Sequence, residues 1–193
     1  MSKKTVRKRL MEIVGTRKKV QMTRPFPGEP NCNGFVLRVS EKWLLLHDFF
    51  DFTPMGYTAI RLAHISSCRS GKYERKWEQM LEAEGVLDRV EIDFEIDLDS
   101  THSLLESLQR RGQNIIVECE CEDDSDRDGF FIGKITKLEK RFLGFKHFDA
   151  TGNWEDGEYR IPFKYITKIA FDTPYVNTFS KYLNSAAPAS ANE

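Results

Sequence analysis

Three aspartates at alternate positions, followed at once by a glycine, have the spacing of the first half of a calcium-binding loop: Asp124, Asp126, Asp128 and Gly129. Calcium is held by several converging oxygens, usually with a bidentate acid at the twelfth position of the loop. Ile135 stands at that position, and an Asp-Gly pair also turns a simple hairpin. The pattern therefore favours a solvated hairpin loop, with the three aspartates as a weak candidate metal site, and no cofactor is expected.

Two histidines stand near aspartates at matching places in the chain, His47 beside Asp48 and His147 two residues before Asp149. A histidine next to a carboxylate can act as a general base. Nucleophilic catalysis also requires a positioned serine or cysteine, and no such motif accompanies either pair. These histidines are interpreted as surface pairs, and the sequence predicts that the protein is not an enzyme.

Carboxylates alternate with apolar residues between positions 90 and 99. This alternation predicts a half-buried strand with one acidic face. A row of like charges can keep a sheet edge from pairing with other chains, or it can contact a basic partner. Both interpretations stay open for this acidic face, which consists of Glu91, Asp93, Glu95, Asp97 and Asp99.

Positive charge is concentrated near the N-terminus, where residues 1–24 carry nine Lys or Arg against one Glu. Such a basic arm could bind RNA through phosphate contacts, which give salt-dependent affinity. No aromatic residue is interleaved with these cations to stack a base, so neutralisation by acidic segments of the chain is the alternative. The candidate nucleic-acid-binding residues are Lys3, Lys4, Arg7, Lys8, Arg9, Arg17, Lys18 and Lys19.

Aromatic residues form two further clusters, one around Phe50 and Tyr57 and one around Trp154. In loops, such residues either fill the mouth of a small barrel or stay exposed as a platform for a peptide or a base. Trp154 lies in a turn bounded by glycines, which favours its exposure. The predicted partner-binding surface combines aromatic and acidic residues: Phe50, Tyr57, Trp154, Asp93, Glu95 and Asp97.

The overall composition is that of an ordinary globular protein, with 31% charged and 40% hydrophobic residues and a net charge of −1. No apolar stretch approaches the roughly 20 residues that a membrane span requires, and the basic N-terminus lacks the apolar core of a signal peptide. The four cysteines show no metal or redox spacing. These observations predict a cytoplasmic protein with reduced thiols and no membrane association.

The segments that must position these residues occur twice in the chain. Residues 34–49 align with 133–148, and 60–66 align with 161–167 at the same internal spacing. A repeat of this length indicates a duplicated structural unit. The predicted organisation is a first unit at 1–84, an acidic linking strand at 85–100, a second unit at 101–184 and a disordered tail at 185–193.

Each unit reads as a helix, five short strands and a second helix. The first helix is predicted from Lys3 to Val14, because apolar residues recur there at helical spacing until Gly15. Its counterpart is predicted at 101–111, and the last helix is expected to begin at Pro174. Five short, bent strands suit a small barrel that closes its own edges.

Two strand motifs carry a resemblance to a known family: Gly34-x-Val…Trp43-Leu-Leu-Leu in the second and third strands, and Ile60-x-Leu-x-x-Ile65 in the fourth and fifth. Together with the preceding helix, this pattern resembles the Sm-like fold and, more loosely, other SH3-like small barrels. The resemblance implies an α+β chain that is mainly β, with two duplicated five-stranded Sm-like or SH3-like barrels and flanking helices.

The Sm family reads RNA with an Asp and an Asn near the turn between the second and third strands, and with a later Arg-Gly. This chain carries Ser-Glu-Lys at 40–42 and Arg-Leu at 61–62. The leading expectation is therefore a non-enzymatic adaptor that binds a protein or peptide partner. The alternative is an RNA-binding protein that uses the basic arm, and both expectations leave the oligomeric state open.

Overall fold

A computed structural model of the chain describes residues 3–26, 31–120 and 129–184. The candidate cation site at Asp124, Asp126 and Asp128, and the tail at 185–193, lie outside these residues. The described elements are α1 (Lys3–Ile13), β1 (Lys19–Thr23), β2 (Asn31–Val39), β3 (Trp43–Phe50), β4 (Thr53–Arg61), β5 (Ser67–Arg69), α2 (Lys72–Ala83), α3 (Thr101–Arg111), β6 (Ile115–Cys119), β7 (Gly129–Leu138), β8 (Phe142–His147), β9 (Tyr159–Pro162), β10 (Lys168–Phe171) and α4 (Pro174–Lys181).

Local capping residues account for the helix ends. The Ser100 side chain accepts the Ser103 N–H at 2.9 Å and starts α3, while Gly112 ends it with a φ of 67°. Thr173 caps α4, and Pro174 occupies its first turn. Both predicted ends of α1 and of α3, and the predicted start of α4, are therefore confirmed to within one residue.

All ten described strands form one antiparallel sheet in the order β5-β1-β2-β3-β4-β10-β6-β7-β8-β9. The order of β1–β5 in the first half is thus repeated by β6–β10 in the second half, with β10 in the place of β5 and β9 in the place of β4. The two halves meet where β4 pairs with β10. The described sheet is open, with β5 and β9 at its edges.

The two halves also share the details of their strand pairing. The β2–β3 ladder shifts register at Leu37, and the β7–β8 ladder shifts at Thr136, the residue aligned with it in the repeat. A β-bulge at these sites bends each strand at the same point. Gly34 and Gly133 are also equivalent, because a Cβ on either would collide with a backbone carbonyl of the neighbouring strand. The duplication therefore extends from the sequence to the register.

The largest apolar core lies across the two halves rather than within one. It joins Trp43, Leu45 and Ala59 of the first half to Leu105 and Phe145 of the second, all of them fully buried. A second cluster lies on the opposite side of the first half, under α1, where Val6, Leu10 and Ile13 pack on the sheet. The apolar side predicted for α1 thus packs in a core. The predicted boundaries of the two units and the linking strand, at residues 84 and 100, stay a prediction.

Arg61 forms hydrogen bonds across the junction between the two halves. It stands at the end of β4, and its guanidinium donates to the backbone carbonyls of Ile166 and Phe163 in the second half. The same guanidinium lies 4.9 Å from the centre of the Trp43 ring, whose Nε1 donates to Thr101 Oγ1 at 3.3 Å. These contacts satisfy polar groups that would otherwise be buried without partners.

The acidic segment differs from its prediction. Residues 90–99 belong to no strand. Their backbone carbonyls accept hydrogen bonds from side chains instead: Arg38 donates to Ile96 O at 3.0 Å and Ser40 to Leu98 O at 2.7 Å. The half-buried alternation is confirmed, since Val90, Ile96 and Leu98 are buried and the acids between them are exposed. Alternation reports which face is buried, whereas a strand also requires a neighbouring backbone with which to pair.

The fold class predicted from the sequence is confirmed at the level of a mainly β chain with flanking helices. The expectation that each unit closes its own edges differs from the described sheet, which is continuous and open. The reason is that β4 pairs with β10 of the other half. In the part of the chain that the structure describes, none of the helices has the length and apolar character needed to cross a bilayer.

Candidate functional site: a polar cavity beneath α2

A tight hairpin between β3 and β4 presents two aromatic side chains at one end of the sheet. Phe50 pairs with Thr53, so Asp51 and Phe52 form the loop. Asp51 has a φ of 50°, a left-handed conformation that aspartate tolerates in two-residue turns. Phe50 is 70% exposed, which makes it one of the most exposed large apolar residues described.

Helix α2 packs on the sheet beside this hairpin. Its Leu81 is fully buried against Phe35 and Phe49, which fixes the C-terminal half of the helix. At its N-terminus, Glu74 accepts the Gly71 N–H at 2.6 Å and is only 4% exposed. Trp77 stacks on Phe52 with ring centres 4.5 Å apart, so the hairpin and the helix hold each other in position.

Between α2 and the sheet lies a half-open cavity of about 270 Å³. Three strands contribute Gln21, Asn33 and Arg69 to one side of it, and these three are paired across the sheet and therefore share a face. The full lining comprises Lys19, Gln21, Asn33, Phe49, Phe50, Asp51, Arg69, Tyr73, Glu74 and Trp77.

Lys19 is the least expected member of this lining. It is only 5% exposed, and its Nζ lies 4.7 Å from the centre of the Trp77 ring, a cation–π distance. Burial lowers the pKa of Lys19, and the nearby carboxylates of Glu74 and Glu78 oppose that shift. Neither carboxylate forms an ion pair with Nζ, because Glu78 accepts the Lys19 backbone N–H at 2.7 Å and Glu74 is held by Arg69.

The remaining charges of the cavity are largely paired with one another. Arg69 forms an ion pair with Glu74 at 2.9 Å and also donates to the side-chain oxygen of Gln21. Hydrogen bonds from Gly71 and Arg69 lower the pKa of Glu74 despite its burial. Asp51 lies exposed at the rim. Lys19 is thus the buried charge of the lining whose Nζ lies over an aromatic ring, with the carboxylates of Glu74 and Glu78 nearby.

The equivalent place in the second half of the molecule is an apolar core. In the repeated register, Gln21 corresponds to Ile116 and Asn33 to Ile132. Both isoleucines are buried in a cluster with other apolar residues from the same faces of the sheet and helix. That cluster consists of Ile116, Ile132, Phe148, Ala170 and Val176, with Trp154, Phe179 and Leu183 packed against it.

A second cavity, of about 370 Å³, lies on the other side of the Phe50 ring. Cys32 lines it, and burial raises the pKa of that thiol to about 11. Asp48 and Thr58 also line it and are hydrogen-bonded to each other, while Lys168 pairs with Glu118 at 2.9 Å. Phe50 therefore separates two openings, of which the one beneath α2 holds the buried lysine.

The aromatic residues predicted to form one partner surface have different surroundings. Tyr57 is half-buried between His47 and Phe171, and its hydroxyl donates to the Glu91 carbonyl at 2.9 Å. Trp154 is half-buried, with its ring edge-on to Phe148 at 5.5 Å. Phe50 alone lines the cavity beneath α2. The acids Asp93, Glu95 and Asp97 are exposed on the acidic segment, as predicted.

The basic arm is divided among several environments. Lys3 begins α1, and Lys4, Lys8, Arg9 and Lys18 are exposed. Arg7 forms an ion pair with Glu41, and Arg17 with Asp88 at 3.1 Å. Lys19 and Arg24 are buried. Several of these cations are therefore already paired or buried within the protein.

The interpretation of both histidines as members of surface pairs is wrong for His47, which is buried, while His147 is half-buried. His47 is 5% exposed between Phe49 and Tyr57, and burial lowers its pKa to about 4. The His147 ring accepts the Ile132 N–H at 2.9 Å through Nδ1, and its Nε2 lies 3.7 Å from Glu155. Across the described residues, no group of three or more His, Cys, Asp or Glu side chains is arranged to hold a metal ion.

Phe50 and Lys19 were predicted as members of separate groups, and no sequence pattern had indicated Gln21, Asn33 or Glu74. The signal was present in the repeat. At helix-facing positions, the second copy carries isoleucine and valine where the first copy carries amide and carboxylate groups. A polar residue that replaces a core residue of a duplicated unit indicates that the local environment has changed.

No family model matches the chain, and neither a curated protein nor a solved structure matches it.

Proposed function

We propose that this protein is a non-enzymatic interaction module, built from two Sm-like or SH3-like units, that binds a peptide segment of a partner protein in the cavity beneath α2. The unit architecture is supported by the repeated strand order and register of the two halves. The binding role is supported by the difference between those halves. One half has a closed apolar cluster at this place, whereas the other has an open polar cavity.

This difference carries the proposal because a packed apolar core is the more stable arrangement. Burying amides and charges costs free energy unless each is hydrogen-bonded or paired. The second half shows that the same backbone accommodates apolar residues at the positions of Gln21, Asn33 and Glu74. The first half retains Gln21, Asn33 and Lys19 there, together with open volume. A ligand that pairs with these groups would offset the cost of keeping them.

The chemistry of the lining suits a peptide. Ligand sites typically combine apolar and aromatic walls with a few placed polar groups. Phe50, Tyr73 and Trp77 supply aromatic surface, and Phe50 and Tyr73 are exposed to solvent. The side-chain amides of Gln21 and Asn33 can each donate to and accept from a peptide backbone. RNA binding through the basic arm stays the alternative, which the same experiment tests.

The test is selection of short peptides from a displayed random library on the intact protein, followed by calorimetry with the selected peptides. We expect binding that Phe50→Ala weakens at least tenfold, since an exposed aromatic anchor is removed from the rim. Tyr175→Ala is the matched control: Tyr175 occupies in α4 the place of Tyr73 in α2 and is 49% exposed. That variant should bind as the wild type does.

Two results would overturn the proposal. One is the absence of any peptide whose binding depends on Phe50. The other is binding to a mixed RNA pool that weakens steeply with salt and is lost when Lys4, Lys8, Arg9 and Lys18 are replaced together. Steep salt dependence reports release of counterions from phosphates. That outcome would assign the function to the basic arm.

A further inference from the structure

We infer that Lys19 is the anchor for a carboxylate side chain, so that the peptide bound beneath α2 carries an aspartate or glutamate that enters the cavity. The inference rests on the proposed function, because it names the ligand chemistry of the same cavity.

The first support is the state of Lys19 itself. Its residue is nine-tenths buried and lines the cavity, with Nζ placed over Trp77. Among the described residues, no acceptor forms a hydrogen bond or ion pair with that ammonium group. An ammonium has three donors, and the Lys19 ammonium lines a cavity that is open on one side. A carboxylate entering from the open side would supply the missing acceptor.

The second support is the charge balance of the cavity. Arg69 and Glu74 neutralise each other, and Gln21 occupies a further donor of Arg69. Lys19 Nζ forms no ion pair among the described residues, although the carboxylates of Glu74 and Glu78 lie near it, so a monoanion fits this position better than a dianion. A phosphorylated residue would bring nearly two negative charges next to Glu74 and Asp51, with Arg69 already engaged. The cavity therefore fits a carboxylate better than a phosphate.

The third support is the equivalent residue in the second half. Val20 pairs with Gly34 as Ile115 pairs with Gly133, so Lys19 corresponds to Asn114. Asn114 is also buried, but it is uncharged and donates to Ser180 Oγ at 2.8 Å. A neutral residue bonded to the adjacent helix thus occupies this place in the half whose core is closed. Asn114 lines a different cavity, of about 510 Å³, beside α4, so the two halves differ at this position in the cation and not in the presence of an opening.

The carboxylate is assigned to a side chain rather than to a peptide C-terminus. Terminal carboxylates are typically captured by successive backbone N–H groups that form a nest. At this cavity the Lys19 N–H is donated to Glu78 and the Gly71 N–H to Glu74, and β1 is paired with a strand on each side. At this position the cavity offers a single side-chain cation, the Lys19 ammonium, next to the Trp77 ring. Phe50 and Tyr73 would then contact apolar residues adjacent to the acid.

The experiment uses arrays of short synthetic peptides, each made with an amidated and with a free C-terminus, probed with the full chain. Each selected sequence is presented with Glu, its isostere Gln, Lys or phosphoserine at the acidic position. We expect the Glu form to bind about tenfold or more tighter than the Gln form, because a charge-assisted hydrogen bond is lost with Gln. Lys19→Met should abolish that preference and Lys19→Arg should retain most of it. Lys18→Met, at the exposed neighbouring residue, should leave it unchanged.

The outcomes separate this inference from the proposed function. Equal binding of Glu and Gln peptides to the wild type would overturn the carboxylate anchor while leaving Phe50-dependent binding intact. This comparison uses only the wild-type protein, so it does not depend on the folding of any variant. A requirement for a free C-terminus, or tighter binding of phosphoserine, would overturn the side-chain carboxylate in favour of another anion. Absence of Phe50-dependent binding to every array would overturn the proposed function itself.

Discussion

Arg24 and Glu120 form a two-point ion pair between the two halves of the molecule. Nη1 of Arg24 donates to Oε1 of Glu120 at 3.0 Å, and a second contact joins Nη2 to Oε2. The Arg24 side chain is fully buried, with its guanidinium 4.8 Å from the centre of the Phe26 ring. Thr167 Oγ1 donates to Glu120 Oε2 at 2.6 Å and fixes the carboxylate. A cation that the sequence placed in an RNA-binding arm is thus part of the junction.

The first prediction follows from this pair. Glu120→Gln removes the negative charge and leaves the Arg24 guanidinium buried without compensation. Breaking one member of a buried ion pair costs about 3–5 kcal/mol, and we expect a loss of that size in the free energy of unfolding. Urea denaturation followed by circular dichroism measures it.

The exposed ion pair of Arg7 and Glu41 is the control for this measurement. Glu41→Gln should change stability by less than about 1 kcal/mol, since exposed pairs contribute little. If both substitutions had the same small effect, the Arg24–Glu120 contact would not stabilise the junction.

The second prediction concerns pH and His47. Burial lowers the folded-state pKa of this histidine from 6.5 to about 4, so the unfolded chain binds more protons between those values. Stability is therefore fully retained above pH 6.5 and is lost as the pH falls toward 4. The expected loss is about 2–3 kcal/mol at roughly 1.4 kcal/mol per pKa unit, allowing for partial solvent access. Denaturation curves across this pH range measure it.

Replacement by an aromatic residue isolates the contribution of His47. His47→Phe retains ring packing against Phe49 and Tyr57 and removes the titrating group, so the stability curve should become flatter in this window. His102→Gln, at an exposed position, should leave the slope as in the wild type. An unchanged slope in His47→Phe would show that other groups cause the pH dependence.

The third prediction assigns Trp154 to stability rather than to binding. Its ring packs edge-on against the fully buried Phe148. Trp154→Ala should lower the free energy of unfolding by about 2 kcal/mol, less than for a fully buried tryptophan. Peptide binding beneath α2 should be retained. Tyr182→Ala, at a residue that is 75% exposed, is the control and should be near neutral in stability.

The fourth prediction concerns the acidic segment. Ser40 Oγ donates to Leu98 O at 2.7 Å and accepts the Trp43 N–H at 3.0 Å. Ser40→Ala leaves both groups without this partner, at a cost of about 1–3 kcal/mol. We expect faster amide exchange across residues 92–98 and faster cleavage after Glu95 by a glutamate-specific protease. Ser66→Ala, at an exposed serine, should change neither rate.

Short-range patterns in the sequence predicted much of the local structure. The extent of α3 was predicted from apolar spacing, and Ser100 and Gly112 cap the helix at those ends. The exposure of Asp93, Glu95 and Asp97 follows from strict alternation with apolar neighbours. The duplication predicted a repeated order of elements, and the register of the strands repeats with it. These features depend on patterns within short segments of the sequence, so they can be predicted without the tertiary structure.

Only the tertiary structure decided which groups meet across the fold. The pairing of β4 with β10 is a contact between distant segments, and nothing in either strand specifies its partner. Lys19 is buried because α2 places Trp77 over it, although the neighbouring Lys18 is exposed. The acidic segment pairs with no strand, and its carbonyls at Ile96 and Leu98 accept side-chain hydrogen bonds instead. Composition and periodicity determine which faces are apolar, whereas burial of a charge and closure of a cavity depend on how those faces are brought together.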